Sequence, residues 1–494
     1  MVYRNFGYLV TVARTKWANK TAVVMEPGGQ SITFGELETH SNKAGNALMN
    51  LGVKKGDKVA SLLYNSIPVI EARYGIAKMG AATVALNYRL AGRELGYIIN
   101  NSNASALFFG EEFNPVVDEI RADMPNVKHF ICVGKDVPSF AMNYAELLDS
   151  APDAEIHSDV GDDDECIYIY TSGTTGKPKG AVKTHRNSIS HALNNAIAFG
   201  LRHEDVYLYT AIPVSAIGFL NLFSPNIVTG STVILQRQFD AENVLQLIEK
   251  WKATITYLIP TMWNRIFLLP NYKQYDFSSV RIALWGGETM PGDTYRNIQK
   301  EFPGVLCGVY GMTEGGLTFC DARTAAKKEL CVGKCDGLGE FRPVDEQLNP
   351  LPLGGVGEIA YRGPCRMKGY HKNPEANASV LKGDWYLTGD LGQIDEDGDL
   401  RIVGRKMDMI VSGSANIYAA EVEEVIHMHP AVEEVAVIGV PDPVWTEAVK
   451  AVVVLKQGEK LTEEELIDFC KQNIASYKKP RYVQFVDTLP KNPT

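Results

Sequence analysis

One segment of the sequence concentrates the residue types that bind phosphate. Thr171-Ser-Gly-Thr-Thr-Gly-Lys-Pro-Lys-Gly180 follows a predicted hydrophobic strand, Cys166-Ile-Tyr-Ile-Tyr170. Its glycines let backbone N–H groups approach phosphate oxygens, its hydroxyl groups add donors, and Lys177 supplies positive charge. A Walker A loop is excluded, because Pro178 stands where that loop needs Ser or Thr after its lysine. By itself, a turn of this composition is also compatible with an ordinary surface loop.

Further motifs follow the phosphate-binding segment in a fixed order. They are Trp285-Gly-Gly-Glu288, Tyr310-Gly-Met-Thr-Glu314, Tyr386-Leu-Thr-Gly-Asp390, Arg401-Ile-Val-Gly-Arg405 and Ser412-Gly-Ser-Ala-Asn-Ile-Tyr418. Together with the phosphate loop, this ordered set closely resembles the adenylate-forming (AMP-binding) superfamily of acyl-CoA synthetases, amino-acid adenylation domains and beetle luciferases. The resemblance covers nearly the whole chain and favours the acyl-CoA synthetase branch.

The resemblance implies that these motifs build an ATP site. Tyr310 would stack on adenine, Gly287 and Glu288 would border the base, and Asp390 would accept hydrogen bonds from the ribose hydroxyls. Outside this context, Tyr310 would be a core residue and Asp390 a helix cap or turn residue. The implied ATP-binding residues are Thr171, Ser172, Gly173, Thr174, Thr175, Gly176, Lys177, Gly287, Glu288, Tyr310, Gly311, Met312, Thr313, Asp390 and Arg405.

An ATP site of this kind activates a carboxylate, whose own oxygen is a poor leaving group. Attack on the α-phosphate converts that oxygen into AMP, and catalysis consists mostly of positioning and of neutralising phosphate charge. The resemblance gives catalytic roles to Lys177, Thr313 and Glu314, and the Glu314 carboxylate is a hard oxygen ligand suited to Mg²⁺. Thr171 is a second, weaker metal-ligand candidate. The family's adenylation lysine is expected just beyond Thr494.

The acyl pocket is assigned to Ser215, Ala216, Trp285 and Gly308. Ser215 and Ala216 replace an aromatic–His pair that is common in the family, and they open space. The indole of Trp285 would shorten the pocket and favour a short, branched or ring-sized acid. Strand alternation leaves open whether Trp285 faces the pocket or the core.

The resemblance also implies a coenzyme A (CoA) site on a small domain that moves between two half-reactions. Its candidate residues are Ser412, Gly413, Ser414, Trp445, Tyr477 and Lys479. The chain departs from the family at three nearby points: Met407 stands at a hinge position that is usually Asp or Lys, Ser414-Ala415 replaces Gly-Glu, and Trp445-Thr-Glu447 replaces Trp-Gly-Glu.

Helical patterns alternate with β-branched runs, as in Glu242–Ala253 followed by Thr254–Ile259, and this alternation predicts α/β layers with largely parallel sheets. Glycine-rich turns over 337–404 predict a small antiparallel β unit, and Asp395–Asp399 predicts a tight turn rather than a calcium loop. Thr462 and Glu465 form a predicted capping box. We expect a large N-terminal domain (1–404), a hinge (405–410) and a small mobile α+β C-terminal domain (411–494).

The predicted function is an AMP-forming acyl-CoA synthetase that uses ATP, Mg²⁺ and CoA. An acyl-AMP ligase that loads a carrier protein, a medium- or long-chain fatty-acid CoA ligase and a nucleotide-binding regulatory pseudoenzyme are alternatives. Amino-acid adenylation is disfavoured, because Val214, Ser215 and Ala216 cannot hold a substrate ammonium.

A net charge of -10 argues against nucleic-acid binding. No membrane span or signal peptide is expected, the scattered cysteines fit a cytoplasmic protein, and a homodimer is one option for its assembly.

Overall fold

The computed structural model describes residues 5–171, 178–211, 217–288, 290–335, 337–412, 415–442 and 446–491. Several predicted site residues lie outside this part of the chain: Ser172–Lys177 of the phosphate loop, Ser215, Ala216, Gly413, Ser414 and Trp445.

The chain up to residue 150 alternates helices and strands. Its elements are α1 (Tyr8–Trp17), β1 (Thr21–Glu26), β2 (Gln30–Thr33), α2 (Phe34–Asn50), β3 (Lys58–Leu62), α3 (Ile67–Lys78), β4 (Ala82–Ala85), α4 (Gly92–Ser102), β5 (Ala104–Gly110), α5 (Asn114–Ile120), β6 (His129–Val133), β7 (Met142–Asn143) and α6 (Tyr144–Ser150).

The same alternation continues to residue 335. The elements are β8 (Glu165–Thr171), β9 (Lys179–Thr184), α7 (His185–Ala198), β10 (Val206–Tyr209), a π-helix (Ile217–Phe223), α8 (Ser224–Thr229), β11 (Thr232–Gln236), α9 (Ala241–Trp251), β12 (Ile255–Tyr257), α10 (Pro260–Phe267), β13 (Ile282–Trp285), α11 (Gly292–Glu301), β14 (Leu306–Gly308), β15 (Thr318–Phe319), α12 (Ala322–Ala325) and β16 (Lys334–Cys335).

Strands dominate the remainder. They and their helices are β17 (Glu340–Val344), β18 (Gly357–Arg362), β19 (Gly369–Tyr370), α13 (Pro374–Val380), β20 (Leu381–Lys382), β21 (Trp385–Ile394), β22 (Leu400–Arg405), β23 (Met409–Ser412), β24 (Ala415–Tyr418), α14 (Ala419–His427), β25 (Val432–Asp442), β26 (Thr446–Leu455), α15 (Glu463–Asn473) and β27 (Tyr482–Phe485).

Two large sheets form the body of the molecule. One has the order β14-β13-β12-β10-β11-β1-β2 and is parallel except for β2, and the other has the order β19-β9-β8-β4-β3-β5-β6-β7. Apolar side chains of both sheets meet in one core, with Tyr207, Val233 and Leu284 from the first and Val59 and Ile167 from the second. Burial on both faces explains why the strands read as continuous apolar runs rather than alternating ones.

Two smaller sheets complete the fold. Strands β17, β18, β20, β21 and β22 form an antiparallel sheet, as the turn-rich stretch 337–404 predicted. Strands β23 to β27 form a C-terminal sheet with its own apolar core against α14 and α15. Between β22 and β23 runs a 3-10 turn, Lys406–Asp408, in which Met407 is exposed.

Local signals in the sequence explain several of these boundaries. The predicted helix over 242–253 is α9, which Asp240 caps at its start. Thr462 caps α15, and Glu465 completes the capping box, as predicted. The predicted tight turn is also confirmed, because the Gly398 N–H donates to the Asp395 carbonyl at 2.9 Å. The Lys328 ammonium lies between the carboxylates of Asp395 and Asp399 at 2.7 and 2.5 Å, where a calcium loop would hold its ion.

Candidate active site

Glu314 lies at the junction of the two large sheets and the antiparallel sheet. Its side chain is 7% exposed, and its Oε1 accepts hydrogen bonds from the hydroxyls of Tyr370 (2.9 Å) and Thr171 (3.4 Å). Its backbone carbonyl accepts from the Met367 N–H at 2.7 Å. Among the described residues, no side chain donates to Oε2. The carboxylate is therefore oriented through one oxygen and leaves the other for a ligand, which suits a Mg²⁺ ion.

The loop from Tyr310 to Leu317 holds Glu314 and is packed too closely for larger residues. A Cβ on Gly316 would lie 2.7 Å from the Tyr361 hydroxyl, and one on Gly315 would lie 3.1 Å from the Tyr361 ring. Gly311 pairs with Leu317 across the loop. The glycines of this motif thus permit close backbone approach, and they carry the half-buried Thr313 beside Glu314.

Three of the predicted nucleotide contacts meet on the antiparallel sheet. The Tyr310 hydroxyl donates to Asp390 Oδ2 at 2.7 Å, and the Arg405 guanidinium lies 3.4 Å from Asp390 Oδ1. Burial raises the pKa of the Asp390 carboxyl, whereas Tyr310 and Arg405 act in the opposite direction. Burial and the nearby Asp390 charge raise the pKa of Tyr310, so its phenol stays protonated at neutral pH.

The predicted adenine edge lies next to this cluster. A Cβ on Gly286 would meet the Val309 carbonyl at 2.4 Å, so the Gly286–Gly287 turn runs against the residue before Tyr310. The Tyr257 hydroxyl donates to the Gly286 carbonyl at 2.8 Å, and Gly287 adopts φ +83, which favours glycine. Glu288 is exposed beside this turn and accepts a bond from Thr261 at 3.4 Å.

Trp285 packs in the hydrophobic core. Its side chain is 4% exposed and meets the ring of Tyr295 of α11 edge-on, with centroids 6.2 Å apart. A Cβ on Gly308, its partner on β14, would lie 3.3 Å from the indole and 2.5 Å from the Cys331 carbonyl. These contacts favour the core alternative for Trp285, and its predicted effect on acyl length stays a prediction.

A buried polar network, which the sequence analysis missed, joins α7 to the π-helix. His191 Nδ1 donates to Asn221 Oδ1 at 2.6 Å, and Asn195 donates to the same oxygen at 2.7 Å. Burial, and then the charge of Lys183, hold the pKa of His191 well below its usual range, so the ring is neutral. His191 Nε2 is therefore an acceptor without a hydrogen-bond partner among the described atoms. The Cys365 backbone and the Lys183 ammonium are the neighbouring groups that act on the ring together with Asn221.

Two residues near Glu314 were also missed. Tyr370 carries no recognisable motif, and only its fold position, on β19 beside β9, brings it to the carboxylate. Lys183 left a weak signal, because it is a lone charge in the otherwise uncharged segment Gly180-Ala-Val-Lys-Thr184.

The CoA-site candidates are only partly described. Ser412 ends β23 and pairs with Ala415. Tyr477 is exposed and Lys479 half-buried in the segment between α15 and β27. Neighbouring Lys478 pairs with Glu421 of α14 at 2.5 Å.

Comparison with known proteins shows the family of this chain. The family model "AMP-binding enzyme" matches residues 10–371, and the model "AMP-binding enzyme C-terminal domain" matches residues 421–494. A feruloyl-CoA synthase of Amycolatopsis sp is 36% identical over 99% of this chain and 96% of its own. The long-chain-fatty-acid–CoA ligase FadD13 of Mycobacterium tuberculosis is 33% identical over the same shares.

A solved structure gives the same result for the fold. The anthranilate CoA ligase AuaEII, in complex with anthranoyl-AMP, superposes with a TM-score of 0.91 at 29% identity, covering 100% of this chain and 95% of that one.

The family models and the relatives together define an ATP-dependent enzyme that adenylates a carboxylate. The chain belongs to the AMP-binding enzyme family, in its acyl-CoA synthetase branch. It is an AMP-forming carboxylate–CoA ligase that uses ATP, Mg²⁺ and CoA, as predicted. Within the described part of the chain, no helix is both long and apolar enough to cross a membrane.

Proposed function

We propose that the carboxylate substrate is an aromatic acid whose ring bears a hydrogen-bond donor such as a hydroxyl or an amino group. The observation that carries this proposal is the buried acceptor of His191, set in a network with Asn195 and Asn221. This network includes the π-helix, which begins directly after Ser215 and Ala216, the predicted acyl-site residues.

The proposal places the His191 acceptor at the acyl site, where a donor on an aromatic ring would pair with it and an alkyl chain would leave it unpaired. Relatives named for feruloyl-CoA and anthranilate support a ring-bearing acid. The relative named for long-chain fatty acids is the main competing indication.

The reaction has two steps. The carboxylate attacks the α-phosphate of ATP to give acyl-AMP and pyrophosphate, and the CoA thiol then attacks the acyl carbon and displaces AMP. We propose that Tyr310, Asp390 and Arg405 hold the nucleoside, and that Thr313 and the 171–177 loop hold the phosphates. Glu314 would bind Mg²⁺ through Oε2, and the metal would neutralise phosphate charge.

We also propose that residues 405–410 are a hinge between the domains 1–404 and 411–494. Two ion pairs surround this point, Arg405 with Asp390 (3.4 Å) and Lys406 with Glu358 (2.8 Å). Both are partly exposed, and such pairs contribute little stability, so a rotation that breaks them costs little.

The substrate proposal is tested by pyrophosphate release with paired acids, with and without CoA. The panel contains cinnamic and 4-hydroxycinnamic acid, benzoic and aminobenzoic acid, hexanoic acid and palmitic acid. We expect kcat/KM for each acid whose ring bears a donor to exceed that for the unsubstituted acid by at least about tenfold. A site built for a hydrogen bond rejects the analogue that lacks the donor.

The substitution His191→Phe should collapse this preference. His185→Phe is the matched control, because His185 lies on the same helix, is fully buried and also has an unpartnered Nε2, but its Nδ1 binds the Phe6 N–H. A preference for palmitic acid, or a ring preference that His191→Phe leaves intact, would contradict the proposal.

We further propose a cytoplasmic homodimer. None of the eight cysteines, which all lie in the described ranges, forms a disulfide, and this supports a reducing compartment. Leu193 and Ile197 are exposed one turn apart on α7, and this apolar face supports self-association. Light scattering on a sizing column should give twice the chain mass, and Ile197→Lys should restore the single-chain mass.

A further inference from the structure

Lys183 is a charged residue inside the fold. It lies on β9 between the buried residues Val182 and Thr184, and its own side chain is completely buried. Its ammonium donates to the Cys365 carbonyl at 2.6 Å and to the Gly315 carbonyl at 3.3 Å. Both partners are backbone oxygens, so the charge is solvated by peptide dipoles rather than by a bonded carboxylate.

A second completely buried lysine, Lys78, differs from Lys183 because its ammonium is paired with a carboxylate. Lys78 contacts the Glu38 carboxylate at 2.6 Å and the Asn42 side chain at 2.7 Å, on the helices α2 and α3. Lys183 has no such bonded counter-charge among the described residues. The carboxylate that acts on it electrostatically is that of Glu314, which opposes the effect of burial on the lysine.

A buried charge without a bonded counter-ion destabilises a fold, and replacing it with an apolar side chain of similar size is often neutral or favourable. Burial lowers the pKa of Lys183 to about 8, in keeping with this cost. Stability therefore does not explain the presence of a lysine at this position.

The two carbonyls that accept from Lys183 belong to two segments that meet at the Glu314 backbone. Gly315 directly follows Glu314, and Cys365 belongs to the turn whose Met367 N–H donates to the Glu314 carbonyl. Tyr370, which donates to the Glu314 carboxylate, lies on β19, the strand paired with β9. Lys183 thus joins the loop that carries Glu314 to the strands that orient its carboxylate.

We propose that Lys183 is a positioning residue that fixes the Glu314–Gly315 backbone and supplies a positive charge behind the Glu314 carboxylate, so that Oε2 is held ready for the metal of Mg·ATP. This inference rests on the proposed role of Glu314. It assigns Lys183 no contact with substrate and no proton transfer.

The test compares Lys183→Met and Lys183→Gln with the wild-type full chain. Binding of Mg·ATP is measured by calorimetry without acid, and the Mg²⁺ concentration for half-maximal pyrophosphate release is measured separately. For Lys183→Met, we expect both constants to rise about tenfold, since hydrogen bonds to a charged group are the stronger ones. The reaction of preformed acyl-AMP with CoA should change less than about threefold.

Lys183→Gln should recover part of the loss, because its amide can still donate to one of the two carbonyls. The matched control is Lys78→Met, which should lower the thermal midpoint without shifting either constant. In contrast, Lys183→Met should keep or raise the thermal midpoint, because it removes a buried charge.

The inference is overturned if Lys183→Met binds Mg·ATP like the wild type, or if it affects both half-reactions equally. If Lys183→Met does not fold, the same constants measured on Lys183→Gln decide, and unchanged values contradict the inference. Glu314→Gln is measured in parallel. A normal Mg²⁺ requirement in Glu314→Gln would refute the role of Glu314 itself. A raised Mg²⁺ requirement in Glu314→Gln, combined with wild-type constants in both Lys183 variants, would refute only the positioning role of Lys183.

Discussion

The two oxygens of Glu314 have different surroundings, and this asymmetry is the most direct sign of function in the site. Oε1 accepts from Tyr370 and Thr171, whereas the described residues leave Oε2 without a donor. A buried carboxylate normally has its hydrogen-bonding capacity filled. An oxygen that the protein leaves open in such a place is best explained by a ligand, and a hard divalent cation matches it.

Glu314→Gln should reduce pyrophosphate release by at least about tenfold, because an amide is a far weaker Mg²⁺ ligand than a carboxylate. The Tyr370 hydroxyl can still donate to the amide oxygen, so the thermal midpoint should change little. Glu165→Gln, on β8 and bonded to Tyr168 at 2.5 Å, is a control carboxylate outside the proposed metal site. Near-normal adenylation by Glu314→Gln would contradict the assignment.

Asp390→Asn tests the ribose contact through both binding and pH. Burial raises the pKa of Asp390, so the folded protein binds its proton more tightly than the unfolded chain does. The ionised carboxylate therefore lowers stability above its folded pKa; this loss shrinks as pH falls through that pKa and is gone below the pKa of the unfolded chain. We expect the variant to have a higher thermal midpoint at neutral pH, a difference that shrinks on acidification, and an ATP KM raised about tenfold. A lower midpoint at neutral pH would contradict this account.

The resemblance to the adenylate-forming family suggested Glu314, Tyr310, Asp390 and Arg405, because each stands in one of the ordered motifs. The sequence could not tell which way the Trp285 side chain points. A strand presents alternate residues to opposite faces, and the sequence does not say which face is the pocket. Tyr370 and His191 escaped notice for a related reason. Their partners Glu314 and Asn221 are distant in sequence, and only the packing of strands and helices brings each pair together.

At the scale of elements, the patterns that the sequence predicted best are those with local causes. α9 and α15 begin at capping residues and present apolar residues at helical spacing, so their bounds follow from short-range chemistry. The order of strands in the two large sheets has no such local signal. Strand β1 pairs with β11 and strand β9 with β19, contacts that depend on loop closure over long stretches of chain.

The cap of α15 provides a test at this scale. Thr462→Ala removes the hydroxyl that accepts the Glu465 N–H and donates to the Glu465 carboxylate, whereas the backbone N–H of residue 462 can still donate to that carboxylate. The free energy of unfolding of the C-terminal sheet should fall by about 1 kcal/mol. Denaturant unfolding followed by amide exchange in α15 measures it, with exposed Lys460→Ala as the control. Mg·ATP binding should stay normal, and equal losses in both variants would show that the cap is not what stabilises this end of α15.

At the scale of the molecule, the site depends on the meeting of several sheets. Thr171 ends β8 of one large sheet, Tyr310 follows β14 of the other, and Asp390 lies on the antiparallel sheet. Hydrogen bonds cross these boundaries, from Thr171 to Glu314 and from Tyr310 to Asp390. The C-terminal sheet begins at Met409, after the turn Lys406–Asp408. With the hinge proposed above at 405–410, a rotation would change which face of this sheet meets the nucleotide without disturbing the three-sheet junction.

This arrangement predicts a division of labour between the two half-reactions. Ser412 of β23 pairs with Ala415 of β24, and Gly413-Ser414 is the connection between them in the sequence. If this connection forms a wall of the CoA passage, Gly413→Phe should obstruct the thiol while leaving Mg·ATP and the acid free to react. We expect the rate of thioester formation from preformed acyl-AMP to fall at least about tenfold, and pyrophosphate release to fall less than about threefold.

Gly458→Phe is the matched control, since Gly458 occupies a turn of the same sheet with open space around it. Its positive φ makes a modest loss of stability unavoidable, but the two half-reactions should decline together. An equal decline in Gly413→Phe as well would mean that this connection supports the fold of the C-terminal sheet and takes no part in admitting CoA.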